Sequence, residues 1–206
     1  MIRIVVFMKI LFFVIILSLG ISTSASANMK ATGGGEVLIL DLTVSERMSR
    51  GKLDSCEYTY LLAYADYIYR NGAITFLRGS MNFAVFADAP NKPPGILLKV
   101  TAFDLDNDKH NLAPLDYAYL SSQGISYAGK ESGVFEAEDG GLVVGYDAMS
   151  NPSLDLMNPL DINILRKNGR SDVSVPVNFM AYNPSTVNQF ANCVMKALNA
   201  LGEKLK

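Results

Sequence analysis

Hydrophobic and polar positions along this chain follow three successive patterns. Ile10 to Leu19 is an apolar run (ILFFVIILSL). From Glu36 onward, apolar and polar residues alternate in short blocks punctuated by Gly, Asn, Asp and Pro, as expected of half-buried strands. Past Asn183 the apolar residues recur at helical spacing. Glu36–Val44 (EVLILDLTV) predicts a strand that Ser45–Gly51 breaks. Cys56–Arg70 (CEYTYLLAYADYIYR) is rich in Tyr, Thr and Ile, which favour strands, and also holds Leu61, Leu62, Ala63 and Ala65, which suit a helix. Asn71-Gly72 follows it, ahead of Ala73–Leu77. Both residues tolerate positive φ, so the pair predicts a hairpin; a helix capped by Gly is the alternative.

The rest extends the β pattern. Arg78–Ser80 is read as a turn or bulge, Met81–Phe86 and Ile96–Asp104 as strands, and Ala87–Gly95 (ADAPNKPPG) as loop. Tyr117–Leu120 predicts a short strand. Gly133–Ala137 and Leu142–Tyr146 flank Asp139-Gly140 as a second hairpin, and Asp161–Arg166 and Asp172–Met180 flank Asn168-Gly169 as a third. Pro176 confines that last strand to an edge or a bulge. Asn183-Pro184 reads as an N-cap and first helical residue. Val187, Phe190, Ala191, Val194, Leu198 and Leu201 then form one apolar stripe with Cys193 at its margin, and Gly202 ends the helix. The fold expected is mainly β: an antiparallel sheet, sandwich or partly open barrel built from hairpins, covered by one C-terminal helix. An α+β chain with residues 56–70 helical is the alternative.

The first apolar run is too short to span a bilayer, which needs about 20 residues. Lys9 precedes it and Ala25-Ser26-Ala27 follows it, so residues 1–27 read as a cleaved signal peptide, with Met8 a more natural start than Met1. Residues 28–35 (NMKATGGG) read as a flexible N-terminus and residues 36–206 as a single globular domain in the periplasm or outside the cell. The leader carries Arg3 and Lys9, so the mature chain is two charges more negative than the whole chain's −2. Such a balance disfavours nucleic acid and anionic membrane as partners. Oxidising surroundings make Cys56 and Cys193 a predicted disulfide, since a redox pair favours close spacing and zinc needs more ligands than one histidine supplies.

Asp104, Asp106 and Asp108 alternate in FDLDNDKHN like the start of a calcium loop, but Lys109 and Leu115 stand where Gly and Glu belong, and a solvated turn is the simpler reading. His110 has no nucleophile elbow to serve, and Ser49-x-x-Lys52 lacks its companion motifs. No catalytic residue is assigned. Glu131, Glu136, Glu138 and Asp139 are the acids a carboxylate-dependent hydrolase of envelope polysaccharide would draw on. Tyr58, Tyr60, Tyr64, Tyr67 and Tyr69 form the densest aromatic run, a recognition face if exposed and sheet packing if not. The expectation is an exported, non-catalytic binding protein of the bacterial cell envelope, with a protein partner such as an enzyme that it inhibits, and no cofactor. The hydrolase and a calcium-stabilised module are the alternatives.

Overall fold

The computed structural model describes residues 29–86 and 92–204. The leader, its cleavage point and most of the 87–95 loop lie outside the described residues. Eleven strands and two helices follow in order: β1 (Val37–Ser49), β2 (Lys52–Asp66), β3 (Ala73–Ala84), β4 (Gly95–Asp106), β5 (Lys109–Ala113), β6 (Leu115–Ser122), β7 (Ile125–Ser126), β8 (Gly133–Glu136), β9 (Leu142–Asp147), β10 (Leu160–Arg166), β11 (Val173–Val177), α1 (Phe179–Tyr182) and α2 (Pro184–Lys204). The mainly β reading holds, and residues 56–66 are strand. The larger sheet runs β1-β2-β3-β4-β9-β8, with β5 sharing the edge of β4, and the smaller runs β11-β10-β6-β7. Every pairing is antiparallel.

Turn chemistry explains where the expected boundaries moved. β1 does not break at Ser45. It continues to Ser49, which faces Lys52 across Arg50-Gly51. Both turn residues have positive φ (49° and 75°), the requirement of a two-residue hairpin. β2 stops earlier than expected, at Asp66, because its carboxylate accepts the backbone N–H groups of Ile68 (3.0 Å) and Tyr69 (2.9 Å) and curls the chain. Asn71 and Gly72 do take positive φ, but they close a longer loop over 67–72. β3 then runs unbroken through Arg78–Ser80. β5 was hidden in the polar stretch after β4; Asn107 and Asp108, both at positive φ, form its turn. Pro176 sits on β11, an edge strand, where its missing N–H costs no ladder bond.

Side-chain parity sets the two faces of the large sheet. In β2 the even positions Cys56, Tyr58, Tyr60, Leu62, Tyr64 and Asp66 are all buried. They face the smaller sheet and α2, and the buried apolar residues of both sheets and the helix form one continuous cluster. Within it Tyr58 stacks on Phe190 of α2 at 4.0 Å. The Tyr146 hydroxyl accepts the Leu120 N–H at 2.9 Å, joining β9 to β6.

The Asn183 side chain accepts the Thr186 N–H at 3.1 Å and caps α2, as its sequence predicts. The helix passes Gly202 and ends at Lys204. Its buried face is rotated from the expected stripe: Val187, Phe190 and Val194 are buried as expected, but Cys193 and Ala197 join them and Leu198 is exposed. Cys193 lies inside that face because it is bonded to Cys56, with 5.9 Å between the Cα atoms. Residues 29–35, expected to be loose, pack instead. Ala31 is buried, Lys30 bridges to Glu36, and the Thr32 N–H donates to the Ser174 carbonyl of β11 at 2.9 Å.

Candidate functional site

Among the described residues, neither the small sheet nor the helices lie over the opposite face of the large sheet, where Leu38, Thr59 and Arg78 are exposed. Odd positions of β2 point there, and strand register carries them into rows. One row runs Leu38–Ala63–Phe76–Phe103–Leu112 across β1, β2, β3, β4 and β5. Every member is apolar. Toward the β2–β3 loop the row is flanked by the pairs Ala65–Ile74 and Leu105–His110. Leu38 is 49% exposed, Leu112 44% and Ile74 38%, so this surface meets solvent.

A groove of about 520 Å³ opens beside the row, lined by Asp41, Thr59, Tyr60, Leu61, Phe76, Arg78, Phe103 and His110. His110 lies flat on Phe76, with ring centroids 5.2 Å apart and planes 14° from parallel. Further along, the face becomes polar. Glu57, Thr59, Arg78, Ser80, Lys99, Thr101 and Asp139 surround a second depression of about 210 Å³. Lys99 Nζ sits 2.8 Å from the Asp139 carboxylate, and its hydrogen bond holds that carboxyl below the usual range. The site is thus an apolar platform and groove bordered by charged side chains. Such a surface binds by shape and burial, with the border giving orientation.

Of the five sequence-predicted tyrosines, only Tyr60 belongs to the groove's lining. Tyr58, Tyr60 and Tyr64 occupy even positions of β2 and are buried on the inner side, where desolvation raises all three phenols far above their ordinary value. Tyr67 is exposed in the β2–β3 loop, and Tyr69 bonds the Ser171 carbonyl and stacks against Arg166. The pleat puts Tyr58, Tyr60 and Tyr64 together on the buried side, and Tyr67 and Tyr69 lie past the end of β2, so the five do not make one exposed face.

Asp104, Asp106 and Asp108 are not gathered around a common point. Arg166 Nη1 meets one Asp104 oxygen at 2.7 Å and Arg166 Nη2 the other at 2.9 Å. Asp106 pairs with Arg70, and Asp108 lies in the β4–β5 turn. Burial opposes ionisation of Asp104, but hydrogen bonds from Arg166 and Thr75 and the charges of Arg166 and Arg70 outweigh it and lower its pKa. Among the described residues, no group of three His, Cys, Asp or Glu side chains is placed to hold a metal.

The other candidates scatter. Glu131 accepts a hydrogen bond from the Tyr117 hydroxyl, while Asp139 belongs to the outer face. His110 stacks on Phe76, and Ser49 and Lys52 face each other across the β1–β2 turn. The residues that make the platform were present in the sequence as strands apolar at both parities, such as AITFL and ILLKVTAF. That pattern usually marks a strand covered on both sides, so the uncovered side was not visible in it.

No protein-family model, curated protein or solved structure matches this chain.

Proposed function

We propose that the chain is an exported, non-catalytic binding protein of the bacterial cell envelope, and that it docks a protein partner on the outer face of its large sheet. The observation that carries this reading is the apolar row Leu38–Ala63–Phe76–Phe103–Leu112, with Leu38 and Leu112 exposed at its ends and Phe76 and Phe103 half-buried between them, beside a groove and bordered by Arg78, Glu57 and the Lys99–Asp139 pair. A cost-neutral solvent face would carry polar side chains at these positions. The apolar leader and the Cys56–Cys193 disulfide support the exported setting. An apolar, protein-facing surface of this kind suits inhibition of an envelope enzyme by covering the mouth of its active site.

Affinity capture from envelope extract tests the reading, using the wild type beside Phe76→Glu and Phe103→Glu. The substitutions place a charge on the platform and leave the inner core untouched. A protein retained by the wild type and lost, at least tenfold, from both variants is the expected result. Equal retention by all three, or retention of nothing by the wild type, refutes it.

A further inference from the structure

We infer that β1 is a self-complementary edge and that two copies of the chain pair through it, antiparallel, about a two-fold axis at Val44. β1 is the terminal strand of the large sheet. Its start is covered, because the Val37 N–H donates to the Met29 carbonyl on the side away from β2. Over Asp41–Arg47, no strand among the described residues pairs with its free edge.

Two register shifts mark the strand, one between Ile39 and Asp41 and one between Arg47 and Met48. Bulges are a common way to spoil an open edge. Here they bracket a regular window, Asp41–Arg47, and Val44 is its midpoint. Following the alternation from Val37 through the first bulge turns the N–H and C=O groups of Leu42, Val44 and Glu46 away from β2. A second copy centred on Val44 therefore meets Val44 with Val44, and Leu42 with Glu46, as hydrogen-bonded pairs. The intervening Thr43–Ser45 and Asp41–Arg47 pairs have closer side chains.

The side chains agree with that register. Asp41, Thr43, Ser45 and Arg47 are on the outer face, paired within the chain to Leu61, Thr59, Glu57 and Ser55. The two-fold axis sets Asp41 of one copy opposite Arg47 of the other, and it does so twice. Thr43 meets Ser45, two hydroxyls of matching size. Neither Asp41 nor Arg47 has an ion-pair partner among the described residues. On the inner side Glu46 keeps its 2.8 Å bond to Lys196. A shift of two residues in either direction breaks both Asp41–Arg47 pairs, so charge selects the register. The window spans roughly 24 Å at about 3.4 Å per residue. Because directly opposed residues share a face, the pair would form one continuous sheet with both docking platforms on the same side.

Asp41 also lines the outer-face groove, but sedimentation of the purified chain reads self-association alone and capture reads partner docking alone, so the failure of one reading is distinguishable from the failure of the other. The test expresses the full chain, purifies the form the cell produces, and follows sedimentation over a concentration series for four proteins: wild type, Asp41→Arg, Arg47→Asp and the double swap. The wild type is expected to dimerise reversibly. Each single reversal sets like charges face to face twice and should raise the dimer dissociation constant about tenfold or more. The double swap restores both pairs and should return it to near the wild-type value. Circular dichroism confirms that each variant is folded. A wild type that stays monomeric through the millimolar range overturns the inference. So does a dimer indifferent to the single reversals, or one that the double swap fails to restore.

Discussion

Arg166 lies on β10 of the smaller sheet, yet its guanidinium reaches three strands of the larger one. It contacts Asp66 of β2 at 2.6 Å, Thr75 of β3 at 2.8 Å and Asp104 of β4. Asp66 and Thr75 are buried, and beside their other hydrogen bonds Arg166 supplies Asp66 with its cation and Thr75 with a donor. Removing it leaves Asp66 buried without its cation, a change that costs about 3–5 kcal/mol. Arg166→Ala should therefore show a large drop in the urea midpoint. The pH dependence follows from Asp104. Its pKa is lowered in the folded protein, so its contribution is present above the unfolded value and is lost as pH falls through the folded one. Wild-type stability should fall steeply below about pH 4, and Arg166→Ala should fall less over the same interval. Equal acid slopes in urea titrations of the two proteins would refute this role. Nothing in the sequence linked Arg166 to Asp104. They are joined by a contact between sheets, and Asp104 alone looked like part of a metal loop.

Elements were legible where chemistry is local. The Asn183 cap, the Pro176 edge and the three hairpins each rest on a backbone requirement of neighbouring residues. β2 was harder, since its Tyr and Thr argue for strand and its Ala and Leu for helix. Asn71-Gly72 indicated the right class of element, but Asp66 set its end. β5 went unseen because it is short and mostly exposed, polar from Lys109 to Asn111, with only Leu112 and the buried Ala113 apolar. The helix stripe was predicted in the right place and at the wrong rotation, because the covalent bond to Cys56 draws Cys193 into the buried face. That bond closes a loop of 137 residues between sheet and helix. Constraining so long a loop, at a site packed by the Tyr58–Phe190 stack, should contribute about 2–5 kcal/mol. A Cys56→Ser/Cys193→Ser variant should unfold at correspondingly lower urea. A midpoint matching the oxidised wild type would show that packing alone seats α2.

At the scale of the molecule, strand order and the choice of covered face were beyond the reach of the sequence. Both depend on pairings between distant segments, and a strand apolar on both sides does not declare which side stays bare. The N-terminal segment shows the same limit. Its glycines suggested a loose lead-in, whereas Thr32 bonds Ser174 through backbone and hydroxyl and so joins the start of the chain to the edge of the smaller sheet. Deleting residues 29–35 removes those bonds and the burial of Ala31 and should cost roughly 2–3 kcal/mol. It also uncovers β11, so thermal melts followed by light scattering should show earlier unfolding and faster aggregation. An unchanged melt would mean that the segment is only draped there. The alternation of β2 has a further consequence for how such a protein can change over time. Its tyrosines and its outer-face residues occupy interleaved positions of one strand, so inserting or deleting a single residue would turn the core outward and the platform inward. Point substitutions at Thr59, Leu61 or Phe76 carry no such penalty. The character of this face can change one side chain at a time, while the length of its strands is held constant.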